Sequence, residues 1–451
     1  MNDAAKEALV KDPGSRRMTS GREDGGEHHV VIVGGGFAGL YAAKALRKAP
    51  VRITLLDRHN HHTFQPLLYQ VATGGLNPSD IASPIRRVLR DQKNARVLLA
   101  DVTGIDAEAK EVVFRGGRIG YDTLILAAGA THSYFGHNEW SSHAPGLKSI
   151  EDALDIRRRI FLAYEEAEHT TDAADRRALM TFVVVGAGPT GVELAGALAE
   201  IATHTLLHDF RRIDPAEARV ILLEGAKNVL PVYKPPLCDK AKRQLERLGV
   251  EVRTGALVTG IDEGGVWLGE ERIPARTVLW GAGVAASPLA RSLGAPLDKA
   301  GRVLVEADLT VPGRPDIYVI GDLASLMQDG SPVPGVAPAA IQEGRHAAMN
   351  VVRSLRGQDR RPFRYVDKGS LATIGRAAAV ADFGAFTLSG FFAWIAWFAI
   401  HIFFLIGFRN RFVVLFQWGW SYLTYDRGAR LITGDTPALP AAQPEEQGAR
   451  R

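Results

Sequence analysis

The chain has 451 residues, of which 46% are hydrophobic and 23% charged, and its formal net charge at pH 7 is +4. This length suits two or three domains with a large buried core, and the composition is that of an ordinary globular protein. The positive charge is small and evenly spread, which argues against a nucleic-acid partner. Cys238 is the single cysteine, which excludes an internal disulfide, a Cys-x-x-Cys redox pair and a cysteine-ligated cluster.

The two ends of the chain are polar. Residues 1–28 are rich in charge, glycine and serine, and they contain no apolar stretch of the kind found in a secretory signal. We therefore predict a disordered polar tail over 1–28 and expect the protein to stay in the cytoplasm or to face it. Residues 436–451 are predicted to form a second polar tail.

A glycine-rich turn follows the N-terminal tail. HVVIVGGGFAGLYAAKAL, residues 29–46, combines an apolar strand, a Gly-x-Gly-x-x-Gly turn (Gly34, Gly36 and Gly39) and an amphipathic helix. In such a turn the first glycine permits the tight bend, the second lets a pyrophosphate approach the backbone, and the third allows close helix–strand packing. The next strand, RITLLD, ends at Asp57, where a carboxylate can accept hydrogen bonds from a ribose diol.

The same pattern recurs at residues 181–202, TFVVVGAGPTGVELAGALAEIA, with Gly186, Gly188 and Gly191. The strand RVILLE then ends at Glu224, although the crossover to it is longer than the usual twenty or so residues. An acid there would repel the 2′-phosphate of NADPH and favour NADH. The alternative for both acids is that they are ordinary surface residues at strand ends. Two turns, each between a strand and a helix, predict two dinucleotide-binding sites.

Each turn is followed by a short buried strand that ends in small residues, YDTLILAAGA in the first case and ARTVLWGAGV in the second. A further strand, within GRPDIYVIGDLASL, ends in Gly-Asp. This order predicts an α/β fold with two Rossmann-like dinucleotide-binding domains, the second inserted into the first. The predicted boundaries are 29–150 together with 300–375 for the first domain, 151–299 for the second, and 376–435 for a C-terminal region.

The C-terminal region is strongly apolar. Past residue 376 the composition shifts toward Phe, Trp and Ile, and we predict two helices, 389–406 and 409–424. The first is long enough to span a bilayer, since a span needs about 20 apolar residues. The second begins with Arg409 and Arg411 and carries tryptophans, which is typical of the membrane–water boundary. We interpret the pair as an amphipathic anchor lying in one leaflet; a pair of buried core helices is the alternative.

Six segments in a fixed order carry a family resemblance: GGGFAG, DRHNHHTFQPLLYQVATG, AAGA, GAGPTGVE, LLEGA and IYVIGD. The chain resembles the two-dinucleotide-binding flavoprotein oxidoreductases, and within them most resembles the type II NADH dehydrogenases, over roughly residues 29–435. These are single-subunit NADH:quinone oxidoreductases that pump no protons. The resemblance implies non-covalent FAD in the first domain, NADH in the second, and a membrane quinone (ubiquinone or menaquinone) as acceptor. It also implies a respiratory-chain homodimer, anchored monotopically on the cytoplasmic face of the inner membrane by the C-terminal helices.

The motifs and the resemblance together give candidate cofactor-binding residues. For FAD they are Gly34, Gly36, Phe37, Ala38, Gly39, Asp57, Gln65, Pro66, Thr73, Ala128, Gly129, Gly321 and Asp322. For NADH they are Gly186, Gly188, Pro189, Thr190, Gly191, Glu224 and Gly283. Asp322, just past a buried strand, could equally be a helix N-cap.

Glu193, Gln342 and Lys368 are the candidate catalytic residues. Glu193 is expected in the first turn of the helix after the second glycine turn, where it could complement the helix dipole; the resemblance implies a position between nicotinamide and flavin. The resemblance also implies that Gln342 binds a quinone carbonyl and that Lys368 stabilises a reduced, anionic quinone. The alternatives are an ordinary helix-surface glutamine and a solvated lysine.

One motif departs from the family pattern. The usual A-Q-x-A-x-Q reads APAAIQ over residues 337–342, so that Pro338 replaces the first glutamine. The preferred quinone headgroup is therefore left open.

Other functions fit parts of the pattern. His59, His61 and His62 suggest a metal site, but their spacing fits no helical ligand face, and we expect no metal. Disulfide reductases and sulfide:quinone oxidoreductases need catalytic cysteines that Cys238 alone cannot supply. A ferredoxin or rubredoxin reductase has no use for the apolar C-terminal region. A membrane-tethered NADH-binding sensor or scaffold without turnover remains as the alternative from a different class.

Overall fold

The computed structural model describes residues 26–424 and 427–434. Contacts along the chain divide it into two compact units. The first unit comprises the described residues up to His62 with Pro84–Ala130 and Ala285–Asp367; the second comprises Thr63–Ser83, Thr131–Val284 and the described residues from Lys368 onward. The predicted polar tails lie almost entirely outside the described residues, and the predicted domain boundaries stay a prediction.

Within the described residues, the helices and strands have the following bounds. The α-helices are α1 (Phe37–Ala45), α2 (Leu68–Ala72), α3 (Pro78–Ile81), α4 (Ile85–Val88), α5 (Ile150–His169), α6 (Ala173–Leu179), α7 (Pro189–Glu200), α8 (Pro235–Arg247), α9 (Ala337–Leu355), α10 (Phe391–Phe404) and α11 (Phe408–Thr424). The strands are β1 (His28–Val33), β2 (Val51–Asp57), β3 (His61–Thr63), β4 (Ala82–Pro84), β5 (Ala95–Leu99), β6 (Val102–Asp106), β7 (Glu111–Phe114), β8 (Gly117–Gly120), β9 (Thr123–Leu126), β10 (Ala130–His132), β11 (Thr181–Val185), β12 (Arg219–Glu224), β13 (Val250–Thr254), β14 (Gly260–Asp262), β15 (Gly265–Leu268), β16 (Glu271–Pro274), β17 (Thr277–Trp280), β18 (Val284–Ala286), β19 (Val303–Leu304), β20 (Thr310–Val311), β21 (Arg314–Val319), β22 (Ala324–Ser325), β23 (Met327–Gln328), β24 (Ser331–Pro332), β25 (Ser370–Gly375), β26 (Ala378–Asp382) and β27 (Thr387–Ser389).

The first unit is built on a six-stranded sheet in the order β20-β21-β9-β1-β2-β5. Its central strands are parallel: Val33 at the end of β1 pairs with Leu56 of β2 on one side and with Leu126 of β9 on the other. Every residue of β1 after His28 is buried, as expected for an apolar strand covered on both faces. The carboxyl ends of these strands lie at one edge of the sheet, where the first glycine turn begins.

Helices α1 and α9 pack against each other in the first unit. A Cβ atom on Gly344 of α9 would overlap the carbonyl oxygen of Ala38 in α1, so a glycine is required where the two backbones meet. This packing holds the N-terminal half of α9, with Gln342 and Glu343, beside the helix that the first glycine turn opens.

The second unit repeats this arrangement with a four-stranded parallel sheet in the order β13-β12-β11-β17. Val185 at the end of β11 pairs with Leu223 of β12 and with Trp280 of β17, and all five residues of β11 are buried. The α/β class and the repeated dinucleotide-binding design predicted from the sequence are confirmed.

The C-terminal region contains the antiparallel sheet β25-β26-β27 and the helices α10 and α11. Ala393 of α10 packs with Ala379 and Ala381 of β26, and all three are completely buried. The two helices match the predicted segments, with Gly407 between them in the left-handed region at φ +94°. No helix in the described part of the chain is long and apolar enough to cross a membrane.

Candidate active site

The three glycines of the first turn are needed for different reasons, two for the fold and one for ligand binding. Gly34 has φ +103°, where side chains are strained, and a Cβ on Gly39 would overlap the carbonyl oxygen of Gly34. A Cβ on Gly36, in contrast, would meet no protein atom within 4 Å. The fold therefore requires the first and third glycines but not the second. The open space at Gly36, at the N-terminus of α1, suits the close approach of a pyrophosphate.

The second glycine turn has the same geometry. Gly186 has φ +96°, and a Cβ on Gly191 would overlap the carbonyl oxygen of Gly186. Nothing lies within 4 Å of a Cβ on Gly188, which precedes Pro189 and Thr190 at the start of α7. The chain thus contains two copies of one cradle, and each fits the pyrophosphate of a dinucleotide such as FAD or NADH.

The strand-end acids are equivalent in the two copies. Asp57 Oδ2 accepts a hydrogen bond of 2.5 Å from the backbone N–H of Gly35, inside the first turn. Glu224 Oε2 accepts one of 2.6 Å from Ala187, at the same place in the second turn, and its Oε1 accepts from Ala226 at 2.8 Å. The long crossover before Glu224 therefore does not displace it. Both acids hold the adjacent glycine turn in shape, a role that the strand-end pattern alone did not indicate.

The histidine-rich segment after β2 supports the first turn. His62 is buried, its Nδ1 lies 3.0 Å from the carbonyl oxygen of Gly35, and Phe37 packs edge-on against its ring at 4.9 Å. Burial lowers the pKa of His62 to about 4, so the ring is neutral and donates from Nδ1. No group of three potential metal-ligating side chains occurs among the described residues.

Ala128, Gly129, Gly321 and Asp322 follow strands β9 and β21 in the first unit. Gly129 and Gly321 have φ +67° and +72°, which suits glycine. Asp322 lies inside the short 3₁₀ helix Gly321–Leu323, whose N-cap is Ile320. The N-cap alternative for Asp322 is therefore wrong, because the helix begins one residue before it.

Sequence reasoning missed Glu343, next to Gln342 in α9. Glu343 is 3% exposed, and its Oε2 accepts a 2.5 Å hydrogen bond from the backbone N–H of Gly321. Burial, reinforced by Asp322, raises the pKa of its carboxyl to about 8. A glutamate after the glutamine motif is a weak signal on its own, because only the fold shows that the side chain is buried.

A cavity of about 140 Å³ lies in the second unit beside the second glycine turn. Its walls bring together four of the predicted site residues, Gln65, Thr190, Glu193 and Gly283. Residues that were not predicted also line it, including Tyr69, His132, Lys148 and Trp280. The remaining FAD candidates in this segment lie apart from the cavity wall: Pro66 sits in the short helix Gln65–Leu67, and Thr73 is completely buried.

Glu193 is the fifth residue of α7, and its expected place in the first turn is therefore wrong. The N-terminal residues of α7 are Pro189 and Thr190, and none of the first turn is acidic. The carboxyl faces the cavity instead of capping the helix. Burial raises its pKa well above the usual range, and a hydrogen bond with the backbone of Thr373 only partly opposes this. Glu193 is thus a carboxyl that gains a proton readily beside the second glycine turn.

Gln342 and Lys368 have other partners within their own units. The side-chain amide of Gln342 donates to the carbonyl oxygen of Val366 and accepts from its N–H, both at 3.0 Å. Lys368 is exposed, and its Nζ lies 5.9 Å from the ring centre of Phe404. Pro338 is at the start of α9, where the missing N–H has no helical partner to lose.

A hydrogen-bonded chain connects α11 to the cavity. Trp418 Nε1 lies 2.6 Å from Gln70 Oε1, and Gln70 Nε2 lies 2.8 Å from the Tyr69 hydroxyl oxygen. After α11, Arg427 donates to Thr73 Oγ1 at 3.0 Å and pairs with Glu200 at the end of α7. Tyr69 and Gln70 belong to the quoted segment FQPLLYQVATG, but their partners in α11 are too distant in sequence to be found without the fold.

The fold and the paired cradles define a pyridine-nucleotide flavoprotein reductase. A family model described as pyridine nucleotide-disulphide oxidoreductase matches residues 28–344, and one described as the NDH2 C-terminal domain matches 368–425. The chain belongs to the type II NADH:quinone oxidoreductases. It is 50% identical to the type II NADH:quinone oxidoreductase NdhA of Mycobacterium tuberculosis over 91% of this chain and 90% of that protein. It is also 47% identical to Ndh of the same organism over 90% of each chain. The structure of NDH2 from Plasmodium falciparum in complex with NADH has the same fold, with a TM-score of 0.81 at 21% identity, covering 89% of this chain and 99% of that one.

Proposed function

We propose that this protein is an FAD-dependent NADH:quinone oxidoreductase that pumps no protons. The observation that carries the proposal is the 50% identity to a type II NADH:quinone oxidoreductase over about nine-tenths of both chains. The two pyrophosphate cradles support it, since the reaction needs one resident and one exchanging dinucleotide. FAD, when bound, supplies the redox chemistry, taking a hydride from a nicotinamide and passing two electrons to an acceptor.

The first cradle would hold FAD. Gly36 leaves room for the pyrophosphate, the N-terminus of α1 favours its charge, and Asp57 stands where a ribose hydroxyl can donate to it. The backbone at Gly129 and at Gly321–Asp322 would border the remainder of the cofactor. These residues bind and orient; none of them needs to exchange a proton.

The second cradle would hold NADH. Gly188 leaves room for its pyrophosphate, and the carboxylate of Glu224 disfavours a 2′-phosphate, so we expect NADH to be preferred to NADPH. Glu193 and Gly283 line the cavity beside this cradle, where the nicotinamide ring would lie. The raised pKa of Glu193 lets its carboxyl act as a hydrogen-bond donor as well as an acceptor.

A membrane quinone would be the second substrate, with Gln342 and Lys368 as the residues proposed to bind it. Engaging a quinone carbonyl would require Gln342 to rearrange its two hydrogen bonds with Val366. Pro338 cannot offer the amide that the family motif has at its position, so the headgroup, ubiquinone or menaquinone, must be decided by measurement.

We also propose that α10 and α11 rest on a lipid bilayer. Both helices have large exposed apolar side chains at spacings of three, four, seven or eight residues, which fall on one face of each helix. They include Phe392, Ile395 and Phe403 on α10, and Phe412, Leu415, Phe416 and Leu423 on α11. Each contributes about 1.5–3 kcal/mol when buried in hydrocarbon. The exposed Arg409 and Arg411 would lie at the lipid phosphates.

The proposed setting is the one that the family resemblance implies. The enzyme would lie on the cytoplasmic face of the cell inner membrane, within the respiratory chain, as a homodimer. Light scattering of the protein in detergent, corrected for bound detergent, tests the dimer.

Anaerobic stopped-flow absorbance tests the reaction. NADH should bleach the flavin band of the holoenzyme, and a short-chain quinone should restore it in a second mixing step. Flavin that NADH leaves oxidised, or reduced flavin that quinone does not reoxidise, contradicts the proposal. Steady-state oxidation of NADH with the same quinone then separates an enzyme from a sensor without turnover.

A further inference from the structure

The chain Trp418–Gln70–Tyr69 has only one consistent direction. An indole N–H can donate but not accept, so the 2.6 Å contact fixes the amide oxygen of Gln70 toward Trp418. The amide nitrogen must then face Tyr69, and it donates to the hydroxyl oxygen at 2.8 Å. The hydroxyl oxygen is therefore an acceptor for Gln70, and its own hydrogen remains to be donated elsewhere.

The Tyr69 hydroxyl has no second protein partner in the described part of the chain. Tyr69 is 7% exposed and lines the cavity together with Thr190, Glu193 and Gly281. A buried donor without an acceptor costs free energy. A ligand that brings a hydrogen-bond acceptor into the cavity would remove that cost.

We propose that Tyr69 donates a hydrogen bond to a carbonyl oxygen of the substrate in this cavity, and that Trp418 orients the donor through Gln70. The inference rests on the proposed function. The second glycine turn borders the cavity, so the carboxamide oxygen of nicotinamide is the favoured acceptor, and a quinone carbonyl has the same chemistry. Gln70 and Trp418 act through Tyr69 and are positioning residues.

The charges around Tyr69 keep it a donor. Burial, and then the carboxyl of Glu193, raises the pKa of Tyr69 well above its usual value; Glu200 acts in the same direction, while the hydrogen bond from Gln70 and the charge of Arg427 oppose it. His132 and Lys148 line the same cavity, and Tyr233, whose pKa burial also raises, interacts with Glu193. The hydroxyl therefore stays protonated over the working pH range.

Four variants of the full-length holoenzyme test the proposal. Tyr69→Phe removes the donor, and Trp418→Phe removes the group that orients it. Gln70→Met breaks the chain while leaving both aromatic residues in place. Trp420→Phe is the matched control, because Trp420 lies on the same helix with its side chain exposed. Flavin content and melting temperature are measured for each, so that loss of folding is recognised.

The readouts are the dissociation constant of NAD⁺ by calorimetry and the rates of the two half-reactions by stopped flow. We expect Tyr69→Phe to weaken the binding of one substrate roughly 5- to 10-fold, as for one lost hydrogen bond. Trp418→Phe and Gln70→Met should weaken the binding of the same substrate. The double variant Tyr69→Phe/Trp418→Phe should be no worse than Tyr69→Phe alone. An effect confined to flavin reduction by NADH and to NAD⁺ binding identifies the carboxamide, and an effect confined to flavin reoxidation identifies the quinone.

The thionicotinamide analogue of NADH, whose sulfur is a poor acceptor, gives a further test. If the carboxamide is the acceptor, the penalty of Tyr69→Phe should disappear with this analogue. The proposal is overturned if Trp418→Phe and Gln70→Met match Trp420→Phe in all readouts, or if the effects of Tyr69→Phe and Trp418→Phe multiply. A wild type that NADH cannot reduce would contradict the proposed function, while NAD⁺ binding would still test Tyr69.

Discussion

Arg427 and Glu200 form a largely buried ion pair, with 2.9 Å between Nη2 and Oε2 and side chains 11% and 14% exposed. Arg427 also donates to Thr73 Oγ1 at 3.0 Å, and Glu200 Oε1 accepts from the backbone N–H of Arg376 at 2.5 Å. The segment that follows α11 is thus tied to the end of α2 and to the end of α7. Both of these helices contribute a wall of the cavity.

Breaking this pair from one side should destabilise the protein strongly. Arg427→Gln leaves the carboxylate of Glu200 buried without its cation, which costs about 3–5 kcal/mol. Chemical denaturation of the holoenzyme measures the loss. Arg364→Gln is the control, because Arg364 and Asp329 form a pair at 2.9 Å whose side chains are 73% and 66% exposed, worth at most about 1 kcal/mol. Equal losses in the two variants would show that burial of the Arg427 pair has no energetic effect.

Replacing the second glycine of each turn with alanine should show which of the two cofactors each turn binds. Gly36→Ala and Gly188→Ala meet no protein atom and keep an ordinary φ of −69°, so both variants should fold. We expect Gly36→Ala to be purified with little FAD. Gly188→Ala should keep its flavin and bind NADH at least tenfold more weakly. Flavin absorbance and calorimetry with NAD⁺ measure the two effects.

Gly39→Ala and Gly191→Ala provide the contrast to these variants. Each would overlap a carbonyl oxygen of its own turn, so both should lower the melting temperature before any ligand is added. If Gly36→Ala retained full flavin, the open space in the first turn would have no role in binding.

Glu343 should make stability depend on pH. Its pKa in the folded protein is about 8, above the ordinary value of 4.5, so the folded state holds a proton that the unfolded state releases between these two pH values. The contribution of Glu343 to the free energy of unfolding is therefore fully present below about pH 4.5. It is lost as pH rises through about 8, by at most about 1.4 kcal/mol per pH unit. Glu343→Gln should remove this slope while keeping an acceptor for Gly321.

Urea denaturation from pH 5 to 8.5 measures the slope for each variant. Glu246→Gln is the control, because Glu246 lies on the surface of α8. A slope in Glu343→Gln equal to that of the wild type would mean that another group carries the pH dependence.

Polar replacements on the exposed face of α11 should release the protein from membranes. Phe416→Ser and Leu423→Ser remove large exposed apolar side chains, and the pair should shift the protein into the soluble fraction in vesicle flotation without changing its melting temperature. Leu257→Ser, at an exposed apolar residue outside α10 and α11, should leave flotation unchanged. If the wild type, the double variant and Leu257→Ser floated equally, this face of α11 would not be the one that binds the bilayer.

Local patterns were enough to predict the two cradles. The apolar runs, the glycine spacings and the strand-end acids all lie within short segments, so Gly34, Gly186, Asp57 and Glu224 could be found without the fold. The glycine roles follow from backbone geometry that any such turn must adopt.

The walls of the cavity could not be predicted in the same way. Trp418 and Gln70 are separated by 348 residues, and no periodicity relates them. Glu193 lies two residues after Gly191, which predicted the first helical turn; the helix begins at Pro189, so Glu193 is its fifth residue and faces the cavity. The binding roles of Gln342 and Lys368 stay predictions, as does the identity of the quinone.

The hydrogen bonds from Gly35 to Asp57 and from Ala187 to Glu224 have a consequence for redesign of coenzyme preference. A designer seeking an NADPH-dependent variant would first remove the carboxylate of Glu224. That change would also leave the N–H groups of Ala187 and Ala226 without their acceptor. The glycine turn that binds the coenzyme would then lose hydrogen bonds that hold its shape. A successful switch therefore has to supply a neutral replacement acceptor, such as an asparagine or serine side chain, along with the cation for the added phosphate.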